Sequence, residues 1–442
     1  MPEGIGGRRM MRASRFNVTY GDGDTTLIMN ARGGGMLCLN REYTEKYRRV
    51  LQGKFEDADD LVRELMRGGM LVDDERDEYM ELRLQSRAAR YSNMNLNLTI
   101  APTMACNFCC PYCYEKGQKY TSMNDEVVNQ LPLFVRENYP NITNLTVGWY
   151  GGEPLLVLIK IERITELLKA AVGSACSYGA SIVTNGYLLT SDIARRLVAC
   201  DVKMAQVTID GAKADHDSRR VLHGGGPTYE RILQNVKECA DILDISIRSN
   251  VDKTNISSSF ELLEYLEKNG LKNKVHFYLA PVDNINNVCT NDNQCFTIKQ
   301  FSQEETEFYR QAIQRGFKVQ PFGGTNLGIC CAVGINSYVV DPLGNLYKCW
   351  DDIGRIKCKV GSIFEQPVLN ANMIRWMSYE PEDQECRDCF AFPMCMGGCP
   401  NHALNGNEKH CVSFRYDAEQ KMLLSKMMSD ARQASETGGV HA

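Results

Sequence analysis

The hydrophobic pattern divides the chain into a short alternating segment, a long strand–helix repeat and a cysteine-rich end. Near the N-terminus, apolar and polar residues alternate over three stretches separated by glycine-rich turns, which predicts three short strands. These stretches are Phe16–Tyr20, Thr26–Asn30 and Met36–Leu39. Helical spacing then predicts two amphipathic helices before another short strand. Those elements are Arg41–Gln52, Asp57–Arg67 and Met70–Val72. We interpret the highly charged segment Asp74–Arg90 as a solvated linker helix, because it has few apolar positions.

From Asn95 onward, predicted strands and helices alternate. The strands are Asn95–Ile100, Leu145–Tyr150, Ser181–Thr184, Lys203–Ile209, Asp244–Val251 and Lys274–Ala280. The helices are Asp125–Asn138, Val157–Val172, Ser191–Cys200, Thr228–Leu243 and Ser257–Asn269. Such alternation predicts an α/β fold with a parallel sheet, and six units predict a partial (β/α)6 TIM-like barrel. Its active site would gather at the C-terminal ends of the strands. Further helices are predicted near Gln303–Arg315 and after Tyr416.

Composition narrows the class of protein. The chain has 442 residues and a net charge of -5, so it has no general basic surface. We therefore do not expect nucleic acid as a partner. The chain contains no run of 18 apolar residues, so we do not expect a membrane span. Its arginine-rich N-terminus lacks the apolar core of a secretory signal. We therefore expect a cytoplasmic protein. In that compartment its 19 cysteines are not expected to form disulfides, and the clustered ones are expected to bind metal or carry out redox chemistry. We interpret the isolated ones, Cys38, Cys176, Cys200 and Cys239, as small buried hydrophobic residues.

Three closely spaced cysteines follow the first strand of the repeat, as Cys106-x3-Cys110-x2-Cys113. Three such thiolates can hold three irons of a four-iron cluster and leave one iron open for a small molecule. Cys109 complicates this interpretation, because Cys106-x2-Cys109 and Cys110-x2-Cys113 also have the spacing of a zinc or redox site.

Polar residues stand at the ends of the following strands. Gly151-Gly152-Glu153-Pro154 follows the second strand, and the glycines would let the backbone approach a ligand while Glu153 offers a carboxylate to an ammonium. Further polar residues at strand ends are Asn185, Asp210, Arg248 and Asn250. Because polar groups there are costly without a partner, they predict a ligand with an amine, a carboxylate and a ribose.

The cysteine loop, with Tyr112 before its third cysteine, the Gly-Gly-Glu-Pro turn and the partial barrel resemble the radical S-adenosylmethionine (SAM) superfamily. The resemblance covers residues 95–281. It implies that Cys106, Cys110 and Cys113 hold a 4Fe-4S cluster and that SAM chelates the open iron. It also implies contacts from Gly151, Gly152 and Glu153 to the SAM amine, and from Arg248, Asn250 and Asn185 to its carboxylate or ribose. Cys109 has no role in this scheme.

The C-terminal cysteines resemble a SPASM domain, which holds two auxiliary 4Fe-4S clusters in peptide-modifying members of the superfamily. By that resemblance one set of cysteines holds the outer cluster, namely Cys386, Cys389, Cys395 and Cys411. Cys331, Cys349 and Cys399 would hold the inner cluster, which then lacks a fourth ligand. Either Cys330 completes it or the site is open to a substrate thiolate; Cys289, Cys295 and Cys358 are weaker alternatives. A pair of zinc sites is the alternative for the whole region.

The N-terminal strands and helices resemble the winged-helix-like recognition domain of peptide-modifying enzymes, which can bind a leader peptide as an added strand. A purely structural cap is the alternative. The resulting organisation is a recognition domain with linker helix at 1–90, a radical SAM partial barrel at 91–282, a connector at 283–329 and a SPASM domain at 330–442.

The function implied by these resemblances is radical SAM modification of a ribosomally made precursor peptide with a leader. The expected product is a cysteine thioether, formed after a 5′-deoxyadenosyl radical abstracts hydrogen, with a flavodoxin- or ferredoxin-type protein as reductant. Alternatives are carbon–carbon or carbon–oxygen crosslinking, sulfatase maturation by formylglycine formation, and a non-catalytic iron–sulfur or zinc protein.

Overall fold

The computed structural model describes residues 10–22, 24–56, 58–113, 115, 117, 119–283, 294–324, 330–381, 384–406 and 409–437. Its N-terminal unit contains five strands and three helices. The strands are β1 (Met11–Ala13), β2 (Asn17–Asp22), β3 (Thr25–Asn30), β4 (Met36–Leu39) and β5 (Leu71–Asp73). The helices are α1 (Arg41–Leu51), α2 (Asp59–Arg67) and α3 (Glu78–Arg90).

The N-terminal unit is built on an antiparallel sheet in the order β2-β3-β4, with a separate antiparallel pair of β1 and β5. Helix α1 starts where the Asn40 side chain accepts a hydrogen bond from the Tyr43 amide. Helices α1 and α2 each bury an apolar face against the sheet, through residues such as Tyr47 of α1 and Leu65 of α2. The alternation correctly predicted β2 to β4, but β1 has only three residues and gave no periodic signal.

Helix α3 is not the solvated linker that we expected from its charge. Its carboxyl-terminal arginine Arg90 is 2% exposed and donates hydrogen bonds to the carbonyls of Val333, Met377 and Tyr379. Three arginines of α3 converge on Glu380, which Arg83 and Arg87 approach at 3.1 Å and Arg90 at 3.2 Å. The expectation was wrong because these cations pair with the C-terminal region instead of facing water.

Six parallel strands and the helices between them form the centre of the molecule. The strands are β6 (Asn95–Ile100), β7 (Asn144–Trp149), β8 (Ser177–Thr184), β9 (Val202–Thr208), β10 (Asp244–Val251) and β11 (Val275–Pro281). The helices are α4 (Asp125–Asn138), α5 (Leu158–Val172), α6 (Ser191–Ala199), α7 (Lys213–Arg219), α8 (Tyr229–Cys239) and α9 (Ser258–Lys268). The strands lie in sequence order, each parallel to the next, which confirms the predicted α/β sheet. Helix α7 was missed because it is short.

The C-terminal region extends the same sheet. Its strands are β12 (Ser337–Val340), β13 (Asn345–Tyr347) and β14 (Gly361–Ser362). Its helices are α10 (Ile298–Gln314), α11 (Ala371–Met377), α12 (Gln384–Arg387), α13 (Phe392–Cys395), α14 (Pro400–Leu404) and α15 (Phe414–Thr437). Strand β12 pairs parallel with β6, so the sheet has nine strands in the order β11-β10-β9-β8-β7-β6-β12-β13-β14. No helix in the described part of the chain is long and apolar enough to cross a bilayer.

Candidate active site

The predicted cysteine loop follows β6 and opens into a cavity of 360 Å³. Cys106, Cys110 and Cys113 all line this cavity, whereas the exposed Cys109 does not. The amide of Cys109 donates to the Val221 carbonyl at 2.9 Å, which fixes the loop at that point. The structure thus brings together the three cysteines singled out from their spacing and leaves the fourth outside.

Burial opposes ionisation of the three thiols. It raises the pKa of Cys106 to about 12 and that of Cys113 to about 11, and it also raises the pKa of Cys110. Thiolates are the form that binds metal, so a cationic metal centre is needed to hold these sulfurs deprotonated. Three sulfurs on one cavity wall are the donor set that a 4Fe-4S cluster with one open iron requires.

The Gly-Gly-Glu-Pro turn after β7 is fastened to the cysteine loop. The Gly152 amide donates to the Thr103 carbonyl at 3.1 Å, and the Glu153 amide donates to the Ala105 carbonyl at 2.8 Å. A Cβ on Gly152 would lie 2.3 Å from the Ala105 oxygen, and one on Gly151, whose φ is 108°, would lie 2.5 Å from the Thr103 oxygen. We expected the glycines to make room for a ligand; the crowding that requires them comes from the protein's own backbone.

The Glu153 side chain is fully buried and already has partners. Its carboxylate accepts hydrogen bonds from the Thr184 hydroxyl at 2.7 Å, the Asn185 amide at 2.8 Å and the Leu155 amide at 3.0 Å. Burial nevertheless raises its pKa. Glu153 is absent from the cavity wall, where Gly151 and Gly152 are present. The carboxylate therefore ties the end of β7 to the end of β8, and contacts to a bound amine would have to come from the glycine backbone.

The remaining predicted ligand contacts lie on the cavity wall. Asn185 donates from its side chain to Asn107 at 2.8 Å, and Arg248 donates to Asn250 at 2.8 Å. All three of the predicted residues Asn185, Arg248 and Asn250 line the cavity with the cysteines. Their polar ends give it the amide and guanidinium groups that can bind a carboxylate or hydroxyls.

A charged network under the loop was missed by sequence reasoning. Arg220 is buried, lines the cavity and donates to the Tyr112 hydroxyl at 2.9 Å. Tyr112 in turn donates to Asp210, which also accepts from the Asn250 amide at 3.0 Å. Arg219 pairs with Asp252 at 2.8 Å. Two adjacent arginines beyond the fourth strand were the available signal, and the unrecognised α7 concealed it.

The C-terminal region also reaches this cavity. Trp350 and Asp351 line it, and the Trp350 ring stacks on Tyr150 with centroids 5.6 Å apart. Because Tyr150 directly precedes the Gly-Gly-Glu-Pro turn, the stacked pair forms a wall between the six parallel strands and the C-terminal region. These aromatic residues carried no sequence signal of their own.

A second cavity of 440 Å³ lies among the C-terminal cysteines. It is lined by Cys330, Cys395, Cys399 and Cys411, and Pro281 lines both this cavity and the first. Its wall therefore combines residues from the two cysteine sets that the sequence analysis assigned to separate clusters. Cys330 faces this space, whereas Cys331 is exposed.

The proposed inner set is held together by α14. Cys399 precedes this helix, and Asn401 of its first turn donates to the Cys349 sulfur at 3.2 Å. The thiols of Cys330 and Cys331 share a hydrogen bond, and Cys349 is an electrostatic neighbour of Cys330. Next to Cys349, burial lowers the pKa of Lys348 to about 7.

Arg415 lies beside two cysteines of the proposed outer set, Cys411 and Cys389. The guanidinium donates to the Cys411 sulfur at 3.2 Å, and Cys389 and Cys395 are electrostatic neighbours of Cys411. Cys386 is buried in α12, where its carbonyl accepts from the Cys389 amide at 3.3 Å. In the described residues, no three His, Cys, Asp or Glu side chains are placed to hold a single metal ion.

The weaker ligand alternatives do not join either set. Cys295 is disulfide-bonded, so the expectation that the cysteines form no disulfides was wrong at this position. Cys358 packs with Tyr347 and Ile353, away from both cavities. Cys289 lies outside the described residues.

Comparison with known proteins identifies the class. Residues 100–256 match the model of the radical SAM superfamily, and this stretch contains the cysteine loop, the glycine turn and the arginine network. The chain therefore contains a radical SAM domain and is an enzyme that uses SAM radical chemistry. That family implies one 4Fe-4S cluster and SAM, and the first cavity offers three thiols and polar side chains that fit them.

Named relatives and solved structures extend the similarity. The chain is 23% identical over 345 residues to mycofactocin maturase MftC of Mycobacterium tuberculosis, covering 71% of this chain and 82% of that protein. It is 24% identical over 354 residues to the cysteine-type anaerobic sulfatase-maturating enzyme of Clostridium novyi, covering 73% and 94%.

Two solved structures share the fold. One is anSMEcpe with bound AdoMet and Kp18Cys peptide, which has a TM-score of 0.62 at 18% identity and covers 76% of this chain and 99% of that one. The other is Streptococcus suis SuiB bound to its precursor peptide SuiA, with a TM-score of 0.53 at 14% identity, covering 91% and 98%. At these identities the likeness concerns the fold.

Proposed function

We propose that this protein is a radical SAM/SPASM enzyme that modifies a ribosomally synthesised precursor peptide, and that its product is a cysteine thioether. The observation that carries the proposal is the second, cysteine-lined cavity, which meets the first at Pro281. An enzyme that needed one cluster would have no use for a second set of sulfurs there. The names of the maturase relatives support a peptide as the substrate.

The first cavity would hold the 4Fe-4S cluster through Cys106, Cys110 and Cys113, with SAM beside Gly151 and Gly152. When bound, the reduced cluster and SAM supply a 5′-deoxyadenosyl radical that removes a hydrogen atom from substrate. The Arg248 and Arg220 guanidinium groups would orient the SAM carboxylate, because both reach the cavity wall. Trp350 and Tyr150 would exclude water from the radical.

The C-terminal cysteines would hold two auxiliary 4Fe-4S clusters. Cys386, Cys389, Cys395 and Cys411 supply a complete set of four sulfurs for the outer cluster. The inner cluster would be held by Cys331, Cys349 and Cys399, with Cys330 directly beside Cys331 as the only further sulfur in contact with this set in the described residues. Because neighbouring residues rarely both reach one cluster, we infer that one inner iron stays open to the substrate sulfur.

The N-terminal unit would bind the leader of the precursor peptide. Within the described residues, β2 and β4 each pair with β3 on one side, which leaves an outer edge on each. An extended peptide can add to such an edge as a further strand. A one-electron donor of the flavodoxin or ferredoxin type would reduce the clusters.

Three other outcomes compete with the thioether. Carbon–carbon or carbon–oxygen crosslinking would use two fully ligated auxiliary clusters. Formylglycine formation is favoured by the similarity to the sulfatase-maturating enzyme. A non-catalytic iron–sulfur or zinc protein would leave the SAM cavity without a reaction.

The test begins with anaerobic reconstitution with iron and sulfide, followed by SAM and dithionite. Release of 5′-deoxyadenosine is expected, and its absence would leave the binding-protein alternative. The enzyme is then co-expressed with short cysteine-containing peptides encoded beside its gene. A thioether removes two hydrogens and protects the cysteine from iodoacetamide.

The same mass measurement separates the alternatives. A carbon–carbon crosslink also removes two hydrogens but leaves the cysteine open to alkylation. Formylglycine exposes an aldehyde that reacts with a hydrazide probe. Either result would contradict the thioether while preserving the radical SAM enzyme.

A further inference from the structure

A buried lysine stands beside the inner cysteine set. Lys348 is 2% exposed and follows directly after β13, next to Cys349. Its ammonium donates to the carbonyls of Gly334 and Ser337, at 2.6 Å each, and lies 4.9 Å from the Tyr338 ring centroid. The cation is thus fixed by three neighbours and separated from solvent.

No carboxylate offsets this charge. Within the described residues, no Asp or Glu oxygen is in ion-pair contact with the Lys348 ammonium, although carbonyl oxygens and a ring face it. The other fully buried lysine, Lys421, is paired with Glu305 and also donates to Ser413 at 2.7 Å. A buried ammonium without a counter-ion is costly, which is why burial lowers the pKa of Lys348, so this position calls for an anion that would hold the lysine charged.

The nearest candidates for that anion are sulfurs. Cys330 and Cys331 are the electrostatic neighbours of the Lys348 ammonium. The Gly334 carbonyl accepts a hydrogen bond from Lys348, and the Gly334 amide donates to the Cys331 carbonyl at 2.9 Å. Lys348 is therefore joined through one short turn to the cysteine pair that would carry the inner cluster.

We propose that Lys348 is the counter-charge of the inner auxiliary cluster and raises its reduction potential. The inference rests on the proposed auxiliary clusters. A 4Fe-4S cluster held by thiolates carries net negative charge, and each added electron increases it. A cation fixed beside the ligands stabilises the reduced state more than the oxidised state, because the attraction grows with the cluster's charge. In this role Lys348 supplies a fixed positive charge beside the cluster and is not a ligand of the iron.

The test is an anaerobic redox titration followed by electron paramagnetic resonance. It is done in a Cys106→Ala, Cys386→Ala, Cys389→Ala background, which leaves only two sulfurs at the first site and two at the outer site, so that the inner signal remains. Lys348→Met retains the aliphatic stem without the charge, and Lys348→Arg retains the charge as the matched control. At the inner midpoint potential of the background protein, we expect Lys348→Met to lower the ratio of reduced to oxidised cluster by about tenfold, which is 59 mV for one electron. Lys348→Arg should change that ratio less than twofold.

An unchanged midpoint in Lys348→Met, or an equal shift in Lys348→Arg, would overturn the proposal. If the background protein itself binds no iron at the inner site, the proposed auxiliary cluster fails instead, and the two failures are thereby distinguished.

Iron binding covers the case in which Lys348→Met does not retain its inner cluster. Lys348→Arg should then still hold the inner iron, because it keeps the positive charge that offsets the cluster. Loss of the inner iron from both variants would mean that Lys348 serves only as a donor to the Gly334 and Ser337 carbonyls, and would refute the counter-charge role.

Discussion

The two cysteine-rich regions balance charge in different ways. Around the cysteine-loop site, Asp210 faces Arg219 and Tyr112, Arg219 pairs with Asp252, and Glu153 accepts three hydrogen bonds. In the C-terminal region, the buried Lys348 has carbonyls and thiols around it instead of a carboxylate. The carboxylates of the cysteine-loop site therefore have partners within the protein, whereas the proposed inner C-terminal site would need an anion to offset Lys348.

This difference separates two ways of making a cluster site. A preformed site can be damaged by changes that leave cysteines intact, because its loop geometry depends on backbone contacts such as that between Gly152 and Thr103. A site in which the bound cluster itself offsets a buried cation depends more on the charge of that cluster. The following variants test the first half of the comparison, with iron retained by the C-terminal cysteines as the reference.

The largest effect is expected for Cys106→Ala. Loss of one of the three proposed ligands should empty the cysteine-loop site and lower deoxyadenosine release by more than about 100-fold, since the radical then cannot form. Cys109→Ala is the matched control, because its side chain is exposed and outside the cavity. Iron and sulfide analysis should show loss of one cluster in Cys106→Ala and of none in Cys109→Ala; equal losses would refute the ligand assignment.

Gly152→Ala should have the next largest effect. Its Cβ would lie 2.3 Å from a backbone oxygen that cannot move without the cysteine loop, so we expect a cost of about 3 kcal/mol or more. Gly148→Ala is the control, because the nearest atom to its Cβ is a side-chain oxygen at 3.7 Å. The melting temperature and the amount of iron bound at the cysteine-loop site measure the difference between the two variants. A Gly152→Ala protein with normal iron would show that the loop is not held by this turn.

Glu153→Gln should cost about 2 kcal/mol, because one carboxylate oxygen that accepts hydrogen bonds becomes an amide donor facing donors. Chemical denaturation measures the free energy of unfolding. If the carboxylate served mainly to bind the SAM amine, stability would be retained and SAM affinity alone would fall. That result would restore the role first expected for this residue.

The smallest effect concerns His216, whose pKa burial lowers well below its ordinary value of 6.5. Its ring accepts from the Asp210 amide at 3.2 Å and stays neutral when folded. The unfolded chain takes up a proton below pH 6.5, so stability should fall as the pH is lowered through that value, by about 1 kcal/mol between pH 6.5 and 5.5.

His216→Gln should flatten this slope, and the exposed His223→Gln should not. Melting temperatures measured from pH 5 to pH 8 provide the check. Equal slopes in all three proteins would show that His216 titrates alike in both states.

The parallel repeat and the cysteine loop were predictable because each left a local signal. Strand β6 alternates Leu96, Leu98 and Ile100 on one buried face, and the cysteines repeat at a spacing that chemistry restricts. The contacts of α3 were not predictable, because Glu380 is distant in sequence from the arginines that it pairs with.

The residues that line the candidate site were easier to predict from the sequence than the role of each residue. Asn185, Arg248 and Asn250 reached the cavity as expected, since parallel strands deliver their ends to one edge. Arg220 was missed because its role depends on Tyr112 from another loop. The packing role of Gly152 depends likewise on Ala105, a residue that no spacing rule connects to it.

The pairing of β12 with β6 has a consequence for dividing the chain. A protein truncated before residue 330 would lose β12, and the backbone of Asn97 and Thr99 would then lie on an unprotected strand edge. Long unprotected edges recruit other chains and promote aggregation. The sequence boundary between the strand–helix repeat and the C-terminal region is therefore a poor place to cut for soluble expression, and the repeat should be produced together with its cysteine-rich neighbour.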